Sequence, residues 1–313
     1  MPAQAVPTVV ALLAPLPADL TAGLQAAGHR VLQAGADDAT LAEAEIAVTR
    51  GSLITGEAAF ARLPKLRLLC CWGSGHDAID LAAAGRRGIA VCNSPGGNSA
   101  SVADLAIGFV IALLRDVPIA ERHLRQGHWQ DPSLRLPTSR GLADARLGLF
   151  GYGEVGRRIA HRARAFDMQI GVCTRRPPAE PDVQVFDNLA ALAAWCDVLV
   201  LAVRADASTH HAVNAAVLAA MRPDACLVNV ARGSVIDEAA LSDALRNGRM
   251  AGYASDVFEH EPQVPEAVLQ FPNTVLTPHI AGATAQAARA SVTMVLANIE
   301  RFLAVGEPVH RVA

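Results

Sequence analysis

Residues 147–156 read LGLFGYGEVG, an apolar strand-like run followed by the pattern G-x-G-x-x-G. Glycines at these spacings allow a tight turn, a close approach of the backbone to a pyrophosphate and close packing of the helix that follows. With 24 glycines in the chain, the pattern alone also fits an ordinary strand-to-helix turn. The strand before it and the helical pattern after it favour a dinucleotide-binding loop. Its predicted members are Gly151, Tyr152, Gly153, Glu154, Val155 and Gly156.

Strand-like runs alternate with amphipathic helical stretches on both sides of this loop, which is typical of α/β proteins with parallel sheets. The first predicted series of strands covers residues 8–13, 30–33, 46–48, 66–71 and 89–91. The second covers residues 147–150, 169–173, 198–202, 226–230, 251–254 and 275–276. Long helices are predicted at residues 98–114 and 284–303.

The length of 313 residues suits two domains better than one core. Because a long helix follows the second series of strands, we expect the chain to return to the first domain. The predicted substrate domain is therefore discontinuous and comprises residues 1–97 and 284–313. The predicted dinucleotide-binding domain, residues 98–283, is inserted between these two parts.

The composition is that of an ordinary globular protein, with 52% hydrophobic and 18% charged residues and a net charge of -3. A nearly neutral chain gives no reason to expect nucleic acid as a partner. The apolar run at residues 9–13 has no Lys or Arg before it, so a buried strand is favoured over a signal peptide. The run at residues 105–114 is too short to span a bilayer. We expect a cytoplasmic protein that does not bind membranes.

The six cysteines show no C-x-x-C spacing and stand mostly in strand-like runs. Buried reduced thiols are therefore expected, and no metal site is predicted.

The end of the strand at residues 169–173 bears on the choice of cofactor. NAD-binding enzymes usually place an Asp or Glu about 20 residues after the glycine pattern to bind the ribose hydroxyls. Here the chain continues with Thr174, Arg175 and Arg176, without an acid. Guanidinium groups bind a 2′-phosphate well, so NADPH is the predicted cofactor and NADH is less favoured. The alternative is that both arginines belong to a solvated loop.

Three further segments carry a resemblance to a known family. They read NVARG at residues 229–233, DVFEHEP at residues 256–262 and TPHIAG at residues 277–282. Weaker matches are GSGHD at residues 73–77 and SVAD at residues 101–104. In order and spacing, the chain resembles the D-isomer-specific 2-hydroxyacid dehydrogenases. The resemblance implies two doubly wound parallel-sheet α/β domains, a Rossmann cofactor domain inserted into a flavodoxin-like substrate domain.

The reduction of a 2-keto acid needs a hydride, a proton for the developing alkoxide and a cation for the substrate carboxylate. His279 is the predicted proton donor, because an imidazole titrates near neutral pH. Glu261 is the predicted carboxylate partner of this imidazole, carried over from the family motif, while Glu259 is the alternative acid. Arg232 follows a predicted strand, where open α/β sheets bind ligands, and is expected to bind the keto acid and polarise its carbonyl.

The resemblance implies further contacts. Substrate binding is expected at Ser74 and Gly75, through backbone N–H groups, together with Arg232 and His279. His76 either lines the substrate pocket or has a structural role. Additional cofactor contacts are expected at Val102, Val203, Arg204, Val230, Ala231 and Asp256.

Two features depart from the family pattern or are left open by it. Arg204 stands where relatives usually have a proline, and it either contacts the adenine or 2′-phosphate or points into solvent. Residues 131–142 are expected to form an excursion at the interface of a homodimer. Trp129, just before it, either approaches the partner's active site or is a buried anchor.

The segment EPQVPE at residues 261–266 and the arginine-bearing loop resemble the glyoxylate/hydroxypyruvate reductase branch. The expected activity is NADPH-dependent reduction of a small 2-keto acid of this kind to the D-2-hydroxy acid. Reduction of a larger keto acid, hydroxyphenylpyruvate or 2-ketogluconate, is the alternative within the family. A dinucleotide-sensing corepressor is the alternative of another class.

Overall fold

The computed structural model describes residues 7–313, which form two compact units. The first unit contains the chain up to Asn98 together with Gly282–Ala313, and the second contains Ser99–Ala281. Each unit is built on a parallel sheet flanked by helices. The predicted fold class is confirmed.

The sheet of the first unit has five parallel strands in the order β2-β1-β3-β4-β5, a flavodoxin-like arrangement. Its strands are β1 (Val9–Leu12), β2 (Arg30–Leu32), β3 (Ile46–Arg50), β4 (Leu68–Trp72) and β5 (Ala90–Cys92). The helices between them are α1 (Ala18–Ala26), α2 (Asp38–Leu41), α3 (Glu57–Ala61) and α4 (Leu81–Arg86). Runs such as LLCCW form strands that are buried on both faces, as parallel sheets require.

The second unit contains a sheet of seven parallel strands in the order β12-β11-β10-β9-β6-β7-β8. The strands are β6 (Arg146–Phe150), β7 (Gln169–Cys173), β8 (Val183–Val185), β9 (Val198–Leu201), β10 (Cys226–Asn229), β11 (Gly252–Ser255) and β12 (Thr274–Leu276). The helices are α5 (Ser99–Leu114), α6 (Val117–Arg125), α7 (Glu154–Arg164), α8 (Leu189–Trp195), α9 (Ala215–Ala220), α10 (Glu238–Arg246) and α11 (Glu266–Gln270). The strand order reverses between β6 and β9, and ligands of such sheets bind beyond the carboxyl ends of the strands at this point.

The last helix, α12 (Ala285–Val305), belongs to the first unit. Thr284 caps its start by accepting the N–H of Ala287, and Gly306 ends it with a positive φ. Its buried side chains Val295, Ile299 and Phe302 share a core cluster with strands β1, β3 and β4. This packing explains why an amphipathic C-terminal segment forms a 21-residue helix.

The structure corrects the sequence-based strands at one point, since β8 was not predicted. This strand has three residues, two of them exposed, and lies at the edge of the sheet beside β7. A run of three residues has too little alternation to be recognised from sequence alone.

All six cysteines are free thiols, five of them buried and Cys173 half-buried. Burial raises the pKa of Cys71, Cys196 and Cys226 to about 12, so these thiols stay protonated at neutral pH. Among the described residues, no helix is long and apolar enough to cross a membrane.

Ile299→Ala tests the anchoring of α12 to the first unit. Ile299 is fully buried, so its truncation should lower the free energy of unfolding by about 2–5 kcal/mol through lost burial and a cavity. Urea unfolding followed by circular dichroism measures this difference. Leu303→Ala, at a position that is 41% exposed, is the control and should change the value by about 0.5 kcal/mol or less. Equal effects of the two substitutions would contradict the packing described.

Candidate active site

The glycine loop follows β6 and begins α7. Gly151 has φ +98°, and a Cβ added to it would lie 2.6 Å from the Cα of Val203. A Cβ on Gly156 would overlap the carbonyl oxygen of Gly151, so the helix packs closely on the turn. A Cβ on Gly153, in contrast, would meet nothing within 4 Å. The loop therefore has open space at the residue that a pyrophosphate approaches, which fits a dinucleotide at the N-terminus of α7.

The side chains of two other loop residues, Glu154 and Val155, contact other residues of the second unit. The Glu154 carboxylate accepts hydrogen bonds from Arg158 at 2.9 Å and from Ser99 at 3.3 Å, and the bond from Arg158 is the main reason its pKa is lowered. The contact of Glu154 with a cofactor stays a prediction. Val155 is partly buried against the core of the second unit.

Tyr152 is only 6% exposed and packs in the core of the second unit. Its hydroxyl donates to the Glu180 carboxylate, which also accepts from Arg164 at 2.9 Å. Arg164 donates in addition to Asp182 at 2.6 Å. Burial, followed by the Glu180 contact, raises the pKa of Tyr152. The Tyr152 side chain thus anchors the end of the segment 174–182 that follows β7, and its contact with a cofactor stays a prediction.

The predicted cofactor-selecting arginines follow β7, at the carboxyl ends of the strands of the seven-stranded sheet. Arg175 is exposed, with Nη1 3.6 Å from the Oδ2 of Asp206. The pKa of Asp206 is lowered first by hydrogen bonds from Ser208 and then by the charges of Arg175 and Arg204. The segment after β7 therefore brings the Arg175 guanidinium to a carboxylate of the segment after β9, and the charge of Arg204 acts on the same carboxylate. Arg176 is also exposed, and Thr174 is half-buried.

His279 and Glu261 form a hydrogen-bonded pair. The Nδ1 of His279 lies 2.8 Å from the Oε2 of Glu261, and both side chains are more than a third exposed. The other oxygen of Glu261 accepts the N–H of Phe258 at 3.1 Å. A carboxylate accepts only, so Nδ1 carries a hydrogen and Nε2 faces away from Glu261. The alternative acid, Glu259, contacts His211 instead, at 2.6 Å.

The segment that carries His279 is fixed by Asp256, which is 1% exposed. Its carboxylate accepts the hydroxyl of Thr277 at 2.5 Å and the N–H groups of Ile280 at 2.7 Å and Ala281 at 2.8 Å. The carbonyl of Asp256 accepts the N–H of His279 at 2.8 Å. These bonds hold His279 at φ +54°, a conformation uncommon for a residue with a side chain. Asp256 thus positions His279, and a direct contact with cofactor stays a prediction.

Arg232 follows β10 and is half-buried. Asn229 fixes its backbone, since Oδ1 accepts the N–H of Ala231 and Nδ2 donates to the carbonyl of Arg232, both at 3.0 Å. A Cβ on Gly233 would overlap the backbone of Phe258. Residues 232–233 therefore lie directly against the segment that leads to Glu261. The trio predicted from sequence comes from two adjoining segments and the turn held by Asp256.

The other predicted cofactor contacts have varied surroundings. Val102, Val230 and Ala231 are all less than 9% exposed, while Val203 is half-buried and Arg204 is exposed. Trp129 is 78% exposed, so its description as a buried anchor within the chain is wrong.

The predicted substrate turn lies in the first unit, after β4. Gly73 has φ +87°, and the hydroxyl of Ser74 donates to the carbonyl of Ser94 at 3.2 Å. Asn93 donates to the carbonyl of Ser74 at 2.7 Å, and a Cβ on Gly51 would overlap the carbonyl oxygen of Gly75. The turn is thus held by its carbonyls and hydroxyl, which suits an amide-lined concavity. His76 makes a long contact of 3.4 Å to the Ser74 carbonyl, and its two alternatives stay open.

Comparison with known proteins agrees with this arrangement. The family described as "D-isomer specific 2-hydroxyacid dehydrogenase, NAD binding domain" matches residues 107–281, more than half of the chain. The chain belongs to this family. It is an enzyme of the D-2-hydroxyacid dehydrogenase type, with a nicotinamide dinucleotide as cofactor.

Several relatives cover most of the chain. A glyoxylate/hydroxypyruvate reductase of Arabidopsis thaliana is 35% identical over 82% of this chain and 79% of its own length. A 2-ketogluconate reductase of Gluconobacter oxydans is 37% identical over 76% of both chains. The solved structure of an NADPH-dependent glyoxylate/hydroxypyruvate reductase of Sinorhizobium meliloti, in complex with NADP and malonate, has a TM-score of 0.87. It is 35% identical and covers 98% of this chain and 97% of its own.

Sequence reasoning missed Asn229, and it listed Asp256 only as a cofactor contact and not as the residue that positions His279. Asn229 stands in the quoted NVARG segment, and a buried amide at the end of a strand would have been a usable signal. The contacts of Glu180 and Arg164 with Tyr152 leave no recognisable spacing in the sequence, because three separate elements bring them together.

Gly153→Ala tests the open space in the glycine loop. The added methyl meets no protein atom, so stability should fall by about 1 kcal/mol or less, while the dissociation constant for the dinucleotide should rise at least about tenfold. Calorimetric titration and thermal unfolding measure the two quantities. Gly151→Ala is the contrast, since strain and the overlap with Val203 should lower the stability itself. Unchanged dinucleotide binding by Gly153→Ala would show that the cofactor does not approach this loop.

Proposed function

We propose that this enzyme uses NADPH to reduce glyoxylate or hydroxypyruvate to the corresponding 2-hydroxy acid, of the D configuration where a stereocentre forms. The observation that carries the proposal is the hydrogen bond of 2.8 Å between His279 Nδ1 and Glu261 Oε2. It leaves Nε2 of an accessible imidazole as the one ring nitrogen available to a substrate. The relatives named above support the substrate class, and 2-ketogluconate is the larger keto acid to test beside it.

The proposed chemistry assigns a separate task to each residue of the trio. The bound dinucleotide supplies a hydride to the keto carbon. The electron pair of the carbonyl π bond then moves to oxygen, which takes the proton from Nε2 of His279. Glu261 holds the imidazole in one orientation and stabilises its charged form before the transfer. Arg232 binds the substrate carboxylate and polarises the carbonyl, aided by backbone N–H groups of Ser74 and Gly75.

NADPH is proposed over NADH because of the charges at the end of β7. Residues 169–179 contain no Asp or Glu, while Arg175, Arg176 and Arg204 follow β7 and β9. An adenosine 2′-phosphate placed there would compete with Asp206 for the guanidinium groups. We propose that Arg175 and Arg176 bind this phosphate, and that Arg204 contributes a third positive charge.

His279→Ala should lower kcat by about 10²–10⁴-fold with a smaller change in KM, because it removes the proton donor. Arg232→Ala should raise KM and lower kcat together, by about 10²-fold or more in kcat/KM. Initial rates with glyoxylate and hydroxypyruvate provide the measurement, with 2-ketogluconate and hydroxyphenylpyruvate as competing substrates. His260→Ala, an exposed neighbour of the pair, is the control and should keep full activity. Saturable cofactor binding without turnover of any keto acid would reject the proposal in favour of a sensor.

The double variant Arg175→Ser, Arg176→Ser tests the cofactor preference. The ratio of kcat/KM with NADPH to that with NADH should fall at least about tenfold, or about 1.4 kcal/mol, because phosphate contacts are lost. Arg301→Ser, an exposed arginine of the first unit, should leave the ratio unchanged. Arg204→Ala should raise the KM for NADPH, and an unchanged value would remove Arg204 from the site. An unaltered ratio in the double variant would refute the choice of NADPH.

We also propose a homodimer through the region 117–136 of the second unit. This region exposes large apolar side chains, which mark interaction surfaces when they are contiguous. They are Val117, Leu124, Trp129, Leu134 and Leu136.

The double variant Trp129→Asp, Leu134→Asp should convert the dimer to a monomer of 32.7 kDa, because buried charges would destabilise the interface. Light scattering after gel filtration measures the mass. Leu269→Asp, at another exposed apolar position of the second unit, is the control and should remain dimeric. A wild-type protein that is monomeric at micromolar concentration would exclude the proposed interface.

A further inference from the structure

Two histidines and a glutamate meet in the second unit, outside the residues assigned above. His210 and His211 belong to the segment after β9, and Glu259 belongs to the segment after β11. The Nε2 of His211 lies 2.6 Å from the Oε1 of Glu259, and the Nε2 of His210 lies 3.9 Å from the same oxygen. The three candidate ligand atoms all lie within 4.8 Å of one another. Two imidazole nitrogens thus converge on one carboxylate.

The positions of His211 and Glu259 are fixed by the backbone. His211 has φ +50°, and its N–H donates to the carbonyl of Ser234 at 2.8 Å. The N–H of Glu259 donates to the Glu238 carboxylate at 2.8 Å, and the Glu259 side chain is only 16% exposed. His210, in contrast, is 57% exposed and has room to change its rotamer. Two of the three groups are therefore held in place, and the third lies on the solvent side.

A hydrogen bond to Glu259 accounts for His211 but not for His210. The imidazole of His210 stacks on that of His211, with ring centroids 3.9 Å apart and planes inclined by 27°. The 3.9 Å from the Nε2 of His210 to the Glu259 carboxylate is too long for a hydrogen bond. A bound dication would accept a nitrogen lone pair from each of the two rings at the same point.

We propose that His210, His211 and Glu259 form a binding site for a divalent transition-metal ion, with Zn²⁺ as the best match and water in the fourth position. Two imidazoles and one carboxylate suit Zn²⁺, whereas Mg²⁺ and Ca²⁺ prefer oxygen ligands. Zinc ligands about 2.0–2.2 Å from the ion lie roughly 3.4 Å apart in a tetrahedral set. The distances from Glu259 Oε1 to the Nε2 of His211, 2.6 Å, and to the Nε2 of His210, 3.9 Å, lie on either side of that value. To reach it, the Nε2 of His210 would approach the Glu259 oxygen by about 0.5 Å, and the Glu259 carboxylate and the His211 imidazole would move apart by about 0.8 Å.

The bound ion would connect two segments of the second unit. One is the segment after β9 that carries His210 and His211. The other runs from β11 through Glu259 to Glu261, two residues further along. Binding to the folded chain alone would raise its free energy of unfolding by RT ln(1 + c/Kd), where c is the free ion concentration, and this gain grows with the logarithm of c once c exceeds Kd. The proposal does not depend on which keto acid the enzyme reduces.

The test titrates metal-free, full-length protein with two ions. Binding of Co²⁺ is measured by visible absorption, and binding of Zn²⁺ is measured by calorimetry. We expect one equivalent to bind and the thermal midpoint to rise with Zn²⁺. His210→Gln and His211→Asn should each weaken binding at least about tenfold and remove the thermal shift. Asn tolerates the positive φ at position 211, and the exposed position 210 tolerates Gln, so both variants should fold. His260→Gln, adjacent to Glu259 but outside the cluster, should bind like the wild type.

A second histidine–carboxylate pair, His279 with Glu261, is the competing location for an ion. His279→Gln separates the two, because binding at the proposed site survives this substitution. The proposal is overturned if the wild type takes up no Co²⁺, or if His210→Gln binds it as tightly as the wild type. It is equally overturned if His279→Gln abolishes binding while His211→Asn retains it.

Discussion

The buried carboxyl group of Asp256 is the constraint on which the geometry of the second unit's candidate catalytic residues depends. A carboxyl group with 1% exposure is stable inside a protein only when hydrogen bonds replace its water. Here a hydroxyl and two backbone N–H groups from residues 277–281 do so. The need to hydrogen-bond this carboxyl group also shapes the backbone, because residues 277–281 must turn around it to place their donors. The orientation of His279 is therefore a consequence of the hydrogen bonds that Asp256 accepts from the residues on both sides of it, Thr277, Ile280 and Ala281.

A second constraint is close backbone packing at the ends of parallel strands. Gly151 and Gly233 each occupy a position where a side chain would overlap a neighbouring segment. Gly151 lets the glycine loop approach Val203, just after β9. Gly233 lets the segment after β10 approach Phe258, in the segment after β11. Parallel strands deliver these segments to one edge, and the glycines let them approach. The candidate active site, assembled from distant parts of the sequence, depends on both.

Most of the strands and the central pair of the candidate active site could be predicted from the sequence. Periodicity identified eleven of the twelve strands in the described part of the chain, because buried parallel strands leave long apolar runs. The pairing of His279 with Glu261 was also predicted, and the structure brings these side chains together. The positioning role of Asp256 could not be predicted, because it depends on which hydrogen bonds its carboxylate makes, whereas the buried amide of Asn229 at the end of a strand was a signal that went unused. The proximity of His210 to Glu259 was likewise hidden, since they lie 49 residues apart in sequence and adjoin only through the order of the strands.

The contact between Tyr152 and Glu180 has a consequence for how such an enzyme changes during evolution. The segment after β7 is tied at its far end to the core, through Tyr152 and Arg164, while its exposed arginines make no contribution to that attachment. The attachment at the far end therefore does not depend on the side chains at positions 175 and 176, which are the residues proposed to select the nucleotide. Substitutions there can change the proposed nucleotide contacts while the segment stays tied to the core.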